Sequence, residues 1–367
     1  MNTRADLPRW SLQDLPFHDP ASVKTALGQL DNLVDRFANN RPRLSAGLAI
    51  DEFLEILHLK QSIDEMGAQL GAYAYLYFAG NTQNPQALSL REQIEKALTA
   101  AGNRMMFFSL WFKDLADPIA GRYIAAAGDL SYYLKSLRRF KPYTLSEAEE
   151  KIINLKDLHG SQALVKIYEI ITNGFTFNLE VDGELKTLTR DGLARYYHHP
   201  LAEVRAATYA ELYRVYGQNK TALAQIYSSL VSDWKVEAIE LRGYSSPIAV
   251  RNLGNDLPDA AVDTLLKVCR KNSRLFQRYF KLKARLLGME RLRRYDIYAP
   301  IASLEKSIRI EAAIPLILDS FQRFSPQVAR AARRVIDQHH LDAEPRPGKR
   351  AGAFSYSVTP KLTPWVL

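Results

Sequence analysis

Histidine, cysteine and serine are the side chains on which hydrolytic chemistry would be built, so their spacing is tested first. A helical zinc site needs two histidines one turn apart, so that both imidazoles face one ion. It also needs a glutamate between them as general base and a third ligand from another element. None of the seven histidines has that spacing. His198 and His199 are adjacent and point to different faces of any helix, and Pro200 breaks the register to Glu203. His339 and His340, followed by Asp342 and Glu344, end a helical pattern, where imidazoles complement the helix dipole. Both pairs read as features of helix ends. The single cysteine, Cys269, falls on the apolar side of a helical pattern and reads as a buried, inert thiol. One cysteine excludes an intrachain disulfide and a cysteine-based metal site. Gly-x-Ser-x-Gly and phosphate-cradling glycine loops do not occur. No catalytic residue and no metal ligand is assigned within the chain.

The elements that would position chemistry are nearly all helices. Asp19-Pro20 and Asn84-Pro85 each supply an N-cap and a first-turn proline, and helical spacing follows both. With a helix over 51–80 they predict a long antiparallel bundle. The run 105–112 is apolar all round, which calls for burial between neighbours. Thr144 or Ser146 opens the next helix, with Thr144-x-x-Glu147 at capping-box spacing, and Gly160 is placed for a left-handed cap. The alternation over 175–181, the Asp182-Gly183 turn and the return over 185–188 predict a β-hairpin. Helices follow over 190–198, 201–216 and 221–241. Another runs over 258–287, with Val262, Leu265, Leu266, Leu275, Phe276, Tyr279 and Leu282 facing a core. Residues 295–300 read as extended. Pro315 should kink or break the helix after them, and a last helix covers 327–339.

The last twenty residues change character. Gly348-Lys-Arg-Ala-Gly-Ala-Phe354 follows a helix ending Val335-Ile-Asp337, and Arg294-Tyr-Asp-Ile-Tyr-Ala-Pro300 lies some fifty positions earlier. Together with 134–150 and 278–288 these segments resemble the oligoendopeptidase F family, zinc oligopeptidases related to thimet oligopeptidase. The resemblance implies a mostly helical, zincin-like fold with a short sheet near the C-terminus. The implied organisation is an N-terminal bundle over 1–118, an oligopeptidase F-type helical domain with the hairpin over 119–188, and the front of a peptidase domain over 189–367. It implies hydrolysis of short peptides by a zinc-bound water, with a His-Glu-x-x-His segment expected downstream of Leu367. It also implies that Gly352, Ala353 and Phe354 line a peptide cleft, with residues 295–298 nearby. Small residues over 351–356 suit a sheet edge that takes an extended peptide as an added strand. Trp365, Val366 and Leu367 open an apolar run, so the chain is expected to be the front of a longer protein and to leave a sheet edge exposed. Asp296 is expected to be a structural hydrogen-bond acceptor.

Composition bounds the alternatives. The chain has 367 residues, 47% apolar and 24% charged, as in a folded globular protein. No stretch approaches the roughly 18–20 apolar residues of a spanning helix, and residues 1–20 lack the apolar core of a secretory signal. A cytoplasmic protein without membrane partners is expected. The net charge of +9 is concentrated between Arg270 and Arg294. Such a helix could bind phosphates, yet no nucleic-acid motif accompanies it, and a solvated face or an attractor of acidic peptides is the preferred reading. The competing reading is a non-catalytic helical module whose basic helix meets acidic partners or RNA.

Overall fold

The structure is a computed structural model that describes residues 7–17, 19–302 and 308–367. Three helices, α1 (Pro20–Ala38), α2 (Ile50–Gly80) and α3 (Pro85–Asp114), pack together as the expected bundle. Local chemistry sets their starts. The Asp19 carboxylate accepts from the Ser22 N–H while the Ser22 hydroxyl accepts from the Asp19 N–H, and Asn84 Oδ1 accepts from the N–H groups of Gln86 and Ala87. Two short helices, α4 (Asp117–Ala126) and α5 (Ser131–Arg139), close the bundle end. Phe53 lies at its centre, 4.4 Å from the Tyr123 ring and 5.9 Å from Phe112, and the Tyr123 hydroxyl donates to Leu48 O.

Helices α6 (Glu147–His159) and α7 (Ser161–Asn173) lie beside α3. The capping box that opens α6 is Ser146 with Glu149, not Thr144 with Glu147. Thr144 is committed elsewhere, because its hydroxyl donates to Phe140 O. Gly160 has φ −107°, outside the left-handed region. It is needed because a Cβ there would lie 2.8 Å from Lys156 O. Strands β1 (Phe177–Val181) and β2 (Glu184–Leu188) form the antiparallel hairpin, with Asp182 at φ 57° and Gly183 at φ 76° in the turn. Phe177, Leu179 and Val181 alternate into a second core with Leu193 and Val215. That core lies between the hairpin, α8 (Arg190–Ala194) and α9 (Ala202–Gln218).

The later helices depart more from expectation. Helix α10 (Lys220–Lys235) runs into a π-helical turn, Val236–Leu241, and α11 (Pro247–Gly254) is a helix that the sequence pattern did not mark. The helix expected over 258–287 is two, α12 (Asp259–Lys271) and α13 (Ser273–Leu286), broken at Asn272. Their expected core side is exposed: Leu265, Leu266, Leu275, Phe276, Tyr279 and Leu282 face solvent, as does Cys269. Residues 294–296 form a 3-10 turn rather than an extended segment. Helix α14 (Ile310–Phe324) continues through Pro315, since the carbonyl freed at Glu311 lies on an exposed turn that water can reach. Helix α15 (Pro326–Asp337) is the last, and Phe324 before it is 83% exposed.

The chain end returns to the bundle. Strand β3 (Ser355–Tyr356) pairs antiparallel with β4 (Trp365–Val366), and Leu341 forms a parallel bridge to Val366. The apolar run at 365–367 is therefore not an exposed edge. Trp365 is fully buried in the bundle core, its Nε1–H donates to Ser11 O at 2.8 Å, and its ring stacks on His340 at 3.8 Å. Replacing Trp365 by Ala should cost about 3–5 kcal/mol, by analogy with other buried aromatic truncations. Chemical denaturation of the two chains measures the difference, and a loss below about 1 kcal/mol would show that the docked segment does not support the bundle.

Candidate functional site

The segment between α15 and β3 is pinned before it is exposed. Arg346 Nε donates to Gly80 O, and Gly348 O accepts from both the N–H and the hydroxyl of Thr82. Arg350 N–H donates to Ala79 O, and Ala351 N–H to Asn173 Oδ1. Gly348 has φ 76°, and a Cβ there would collide with Asn81 Oδ1, so glycine is required. Ion pairs reinforce the pinning: Arg350 bonds Glu169, which also bonds Arg91 of α3, and the Arg350 guanidinium lies over the rings of Tyr75 and Phe354.

Beyond this anchor Gly352 and Ala353 are exposed, whereas Phe354 is half-buried, its ring against Trp10 and Tyr75. Phe354 and Leu367 exchange both main-chain hydrogen bonds, at 3.2 and 3.0 Å. In an antiparallel pair the next residues on either side then point their N–H and C=O away. Val366 agrees, because its N–H donates to His340 O and its C=O accepts from Asp342 N–H. The main-chain groups of Ala353 and Ser355 therefore face the open side of β3, which has β4 as its one strand neighbour among the described residues. Gly352 N–H alone is engaged, at 3.3 Å from Asp191 Oδ1. Of the three expected cleft residues, Gly352 and Ala353 stand on an accessible edge. Phe354 turns its ring inward and its main chain to Leu367. Only residues 355–356 of the expected edge over 351–356 are strand.

A cleft of about 910 Å³ opens upstream of the edge, between residues 344–347 on one wall and Thr187–Gly192 on the other, and residues 352–355 do not line it. Arg9 and Arg346 on its rim are paired with Glu344 and Asp342. Arg195, exposed at the same cleft, has no carboxylate partner among the described residues. The sequence placed Ser355 within the expected edge over 351–356 without singling it out, because register decides which groups face outward, and gave no signal for Arg195, whose cleft is built by distant segments. Residues 295–298 do not line this cleft. Asp296 is fully buried and accepts from Arg205 and Arg293, so it is the structural acceptor expected.

Among the described residues the histidines do not form a metal site. His198 is exposed near the Tyr298 ring, and His199 Nδ1 accepts from Leu201 N–H. His339 takes the left-handed cap after α15 at φ 54°. His340 is buried, with Nδ1 3.0 Å from Thr363 O and Nε2 3.1 Å from Asp14 Oδ2. Asp342 is saturated by Arg346 and Lys349. His340 and Asp342 are already committed, no group of three ligating side chains occurs among the described residues, and a zinc ion does not fit them.

A sequence profile described as peptidase family M3 matches residues 195–364, and one described as oligopeptidase F matches residues 122–177. The chain belongs to the oligoendopeptidase F family. It is 22% identical over 364 residues to oligopeptidase PepF of Bacillus subtilis, covering 96% of this chain and 53% of that protein. An oligoendopeptidase F homolog of Lactococcus lactis is 22% identical over 312 residues, 83% of this chain and 51% of that one. Among solved structures, oligoendopeptidase-F from Enterococcus faecium superposes with TM-score 0.70 at 18% identity, over 91% of this chain and 70% of that chain. An oligoendopeptidase F from Bacillus anthracis superposes at 0.72 and 14% identity, over 92% and 60%. The chain thus spans about half the length of the curated relatives it matches.

The anchor carries a pH dependence. Burial pushes the Asp342 carboxyl up, but donors from Arg346 and Lys349 outweigh it and hold the carboxyl below its ordinary range. A depressed folded-state carboxyl stabilises above its unfolded value, near about 3.9, and the contribution is lost as pH falls through the folded value. Asp342→Asn should cost about 3 kcal/mol at neutral pH, because it leaves the Lys349 ammonium buried and uncompensated, and should flatten the acid limb of the stability curve. Urea unfolding at pH 7 and at pH 3 checks both parts. Gly348→Ala should cost at least about 1 kcal/mol from the left-handed backbone alone, read in the same assay.

Proposed function

We propose that this chain serves a zinc-dependent oligoendopeptidase activity on short peptides in the cytoplasm. Its own contribution is to hold an extended peptide along the open side of β3. The observation that carries this reading is the outward direction of the Ala353 and Ser355 main-chain groups on the open side of β3. Main-chain pairing binds peptides with little regard to sequence, which suits an enzyme acting on many short substrates. Arg195 at the cleft is placed to meet a peptide carboxylate, and Gly352 keeps the approach free of a side chain. Zinc chemistry in the family supplies an activated water. The described residues of this chain do not fit the ion, and no hydrolytic step is assigned to them.

Ser355→Pro tests the reading cleanly. Its N–H faces away from β4, so a proline removes the proposed peptide donor while sparing the ladder. Binding of a fluorescein-labelled unstructured peptide, followed by anisotropy, should weaken about tenfold, the worth of one hydrogen bond near 1.4 kcal/mol, with an unchanged unfolding midpoint. Equal affinity for both chains would remove the edge from the proposal. The competing module reading rests on the exposed cations of α12 and α13, where Arg270, Lys271, Arg274, Arg278, Lys281 and Arg285 have no carboxylate partner among the described residues. Steeply salt-dependent RNA binding with no peptide binding would favour it.

A further inference from the structure

A cavity of about 340 Å³ lies away from β3, where α3, α6, α10 and the π-helical turn meet. Its walls are mostly aromatic and aliphatic: Met106, Leu110, Phe140, Tyr143, Trp234 and Tyr244. Tyr143 and Tyr244 stack at 3.7 Å and form one flat face. The charged groups are unevenly satisfied. Arg242 is saturated, bonding Glu150 through two nitrogens at 2.7 and 2.9 Å, Glu237 at 2.8 Å and Tyr143 O at 3.2 Å. Lys113 is not. Its ammonium donates to Thr144 Oγ1 at 3.0 Å, whose own proton goes to Phe140 O. The two other N–H groups of Lys113 have no partner among the described residues. Burial pulls the Lys113 ammonium below its ordinary range and Arg242 adds to this, while Glu150, whose two oxygens are bonded to Arg242, opposes it only in part. The π-helical turn places Glu237 and Arg242 on the cavity wall, and such turns concentrate at functional sites.

A second cavity of about 520 Å³ shares Leu110, Lys113 and Thr144, so Lys113 stands at the junction of the two spaces. The aromatic side offers an apolar slot ending on a cation that makes no direct ion pair among the described residues, the nearby Glu150 being bonded to Arg242. We propose that this cavity binds an aromatic monocarboxylate, its ring against the stacked tyrosines and Trp234 and its carboxylate on Lys113. The site is distinct from the β3 edge and does not depend on the peptidase reading.

Isothermal titration of the full chain with phenylpropionate and with the uncharged phenylpropionamide tests the charge requirement. The acid is expected to bind saturably and the amide at least about tenfold more weakly, since a charge-assisted hydrogen bond is lost. Lys113→Met keeps the aliphatic stem and should weaken the acid by a similar factor, while Lys113→Arg should retain binding. Unfolding midpoints establish that the variants fold, and the acid–amide comparison stands on the parent chain if Lys113→Met does not. No saturable binding of the acid, equal binding of acid and amide, or undiminished binding by a folded Lys113→Met chain would overturn the proposal. Two sources share this chemistry. Acetyl-glycyl-phenylalanine binding as well as the free acid assigns the site to peptide C-termini, and binding of the free acid alone assigns it to a small molecule.

Discussion

Trp365 joins the two ends of the chain. Its indole N–H bonds a carbonyl at position 11, its ring lies on His340, and its side chain completes a core whose other fully buried members all come from the first 134 residues. Ser11 N–H bonds His339 O and Ala343 N–H bonds Pro8 O, so the entry to the bundle and the exit from α15 are laced together. A buried aromatic of this size brings a large apolar area out of water while its one polar atom stays satisfied. The bundle closes around that side chain, and the short sheet has its position because of it.

From this anchor the candidate edge follows by geometry. With Val366 bonded to 340–342 on one side, and Leu367 bonded to Phe354 on the other, alternation along β3 leaves Ala353 and Ser355 facing outward. The segment upstream cannot drift, because Gly348, Arg350 and Ala351 are tied to the α2–α3 turn and to the end of α7. Rigidity before and after an unpaired main-chain run is the arrangement that lets an edge accept a ligand without first ordering itself.

The two halves of the chain differ in how they use apolar residues. In α1–α5 apolar stripes meet one another and disappear into a core of phenylalanine and tyrosine rings. In α12–α15 similar stripes remain in contact with solvent, with Leu265, Phe276, Leu286 and Phe324 among the exposed side chains. Basic residues share these helices, and Lys283 alone among the cations of α13 is buried, donating to Ile297 O.

What the sequence determined by itself lies within a few residues of each signal. Asp19 with Ser22, the Asn84 cap and the Asp182-Gly183 turn were legible, because each is a hydrogen-bonding or backbone preference settled inside one turn of chain. Segments in the right order, from 134 through 354, were enough to point to the family. Tertiary structure decided the rest. A periodic apolar stripe says which face of a helix avoids water but not whether anything covers it, so 262–282 and Cys269 were placed in a core they do not reach. Small residues over 351–354 marked a close backbone approach. Which main-chain groups face outward was set by pairing with Leu367, and the Lys113 cavity by helices that meet across more than a hundred residues. Contacts of that range depend on packing, for which no local pattern in the chain is a substitute.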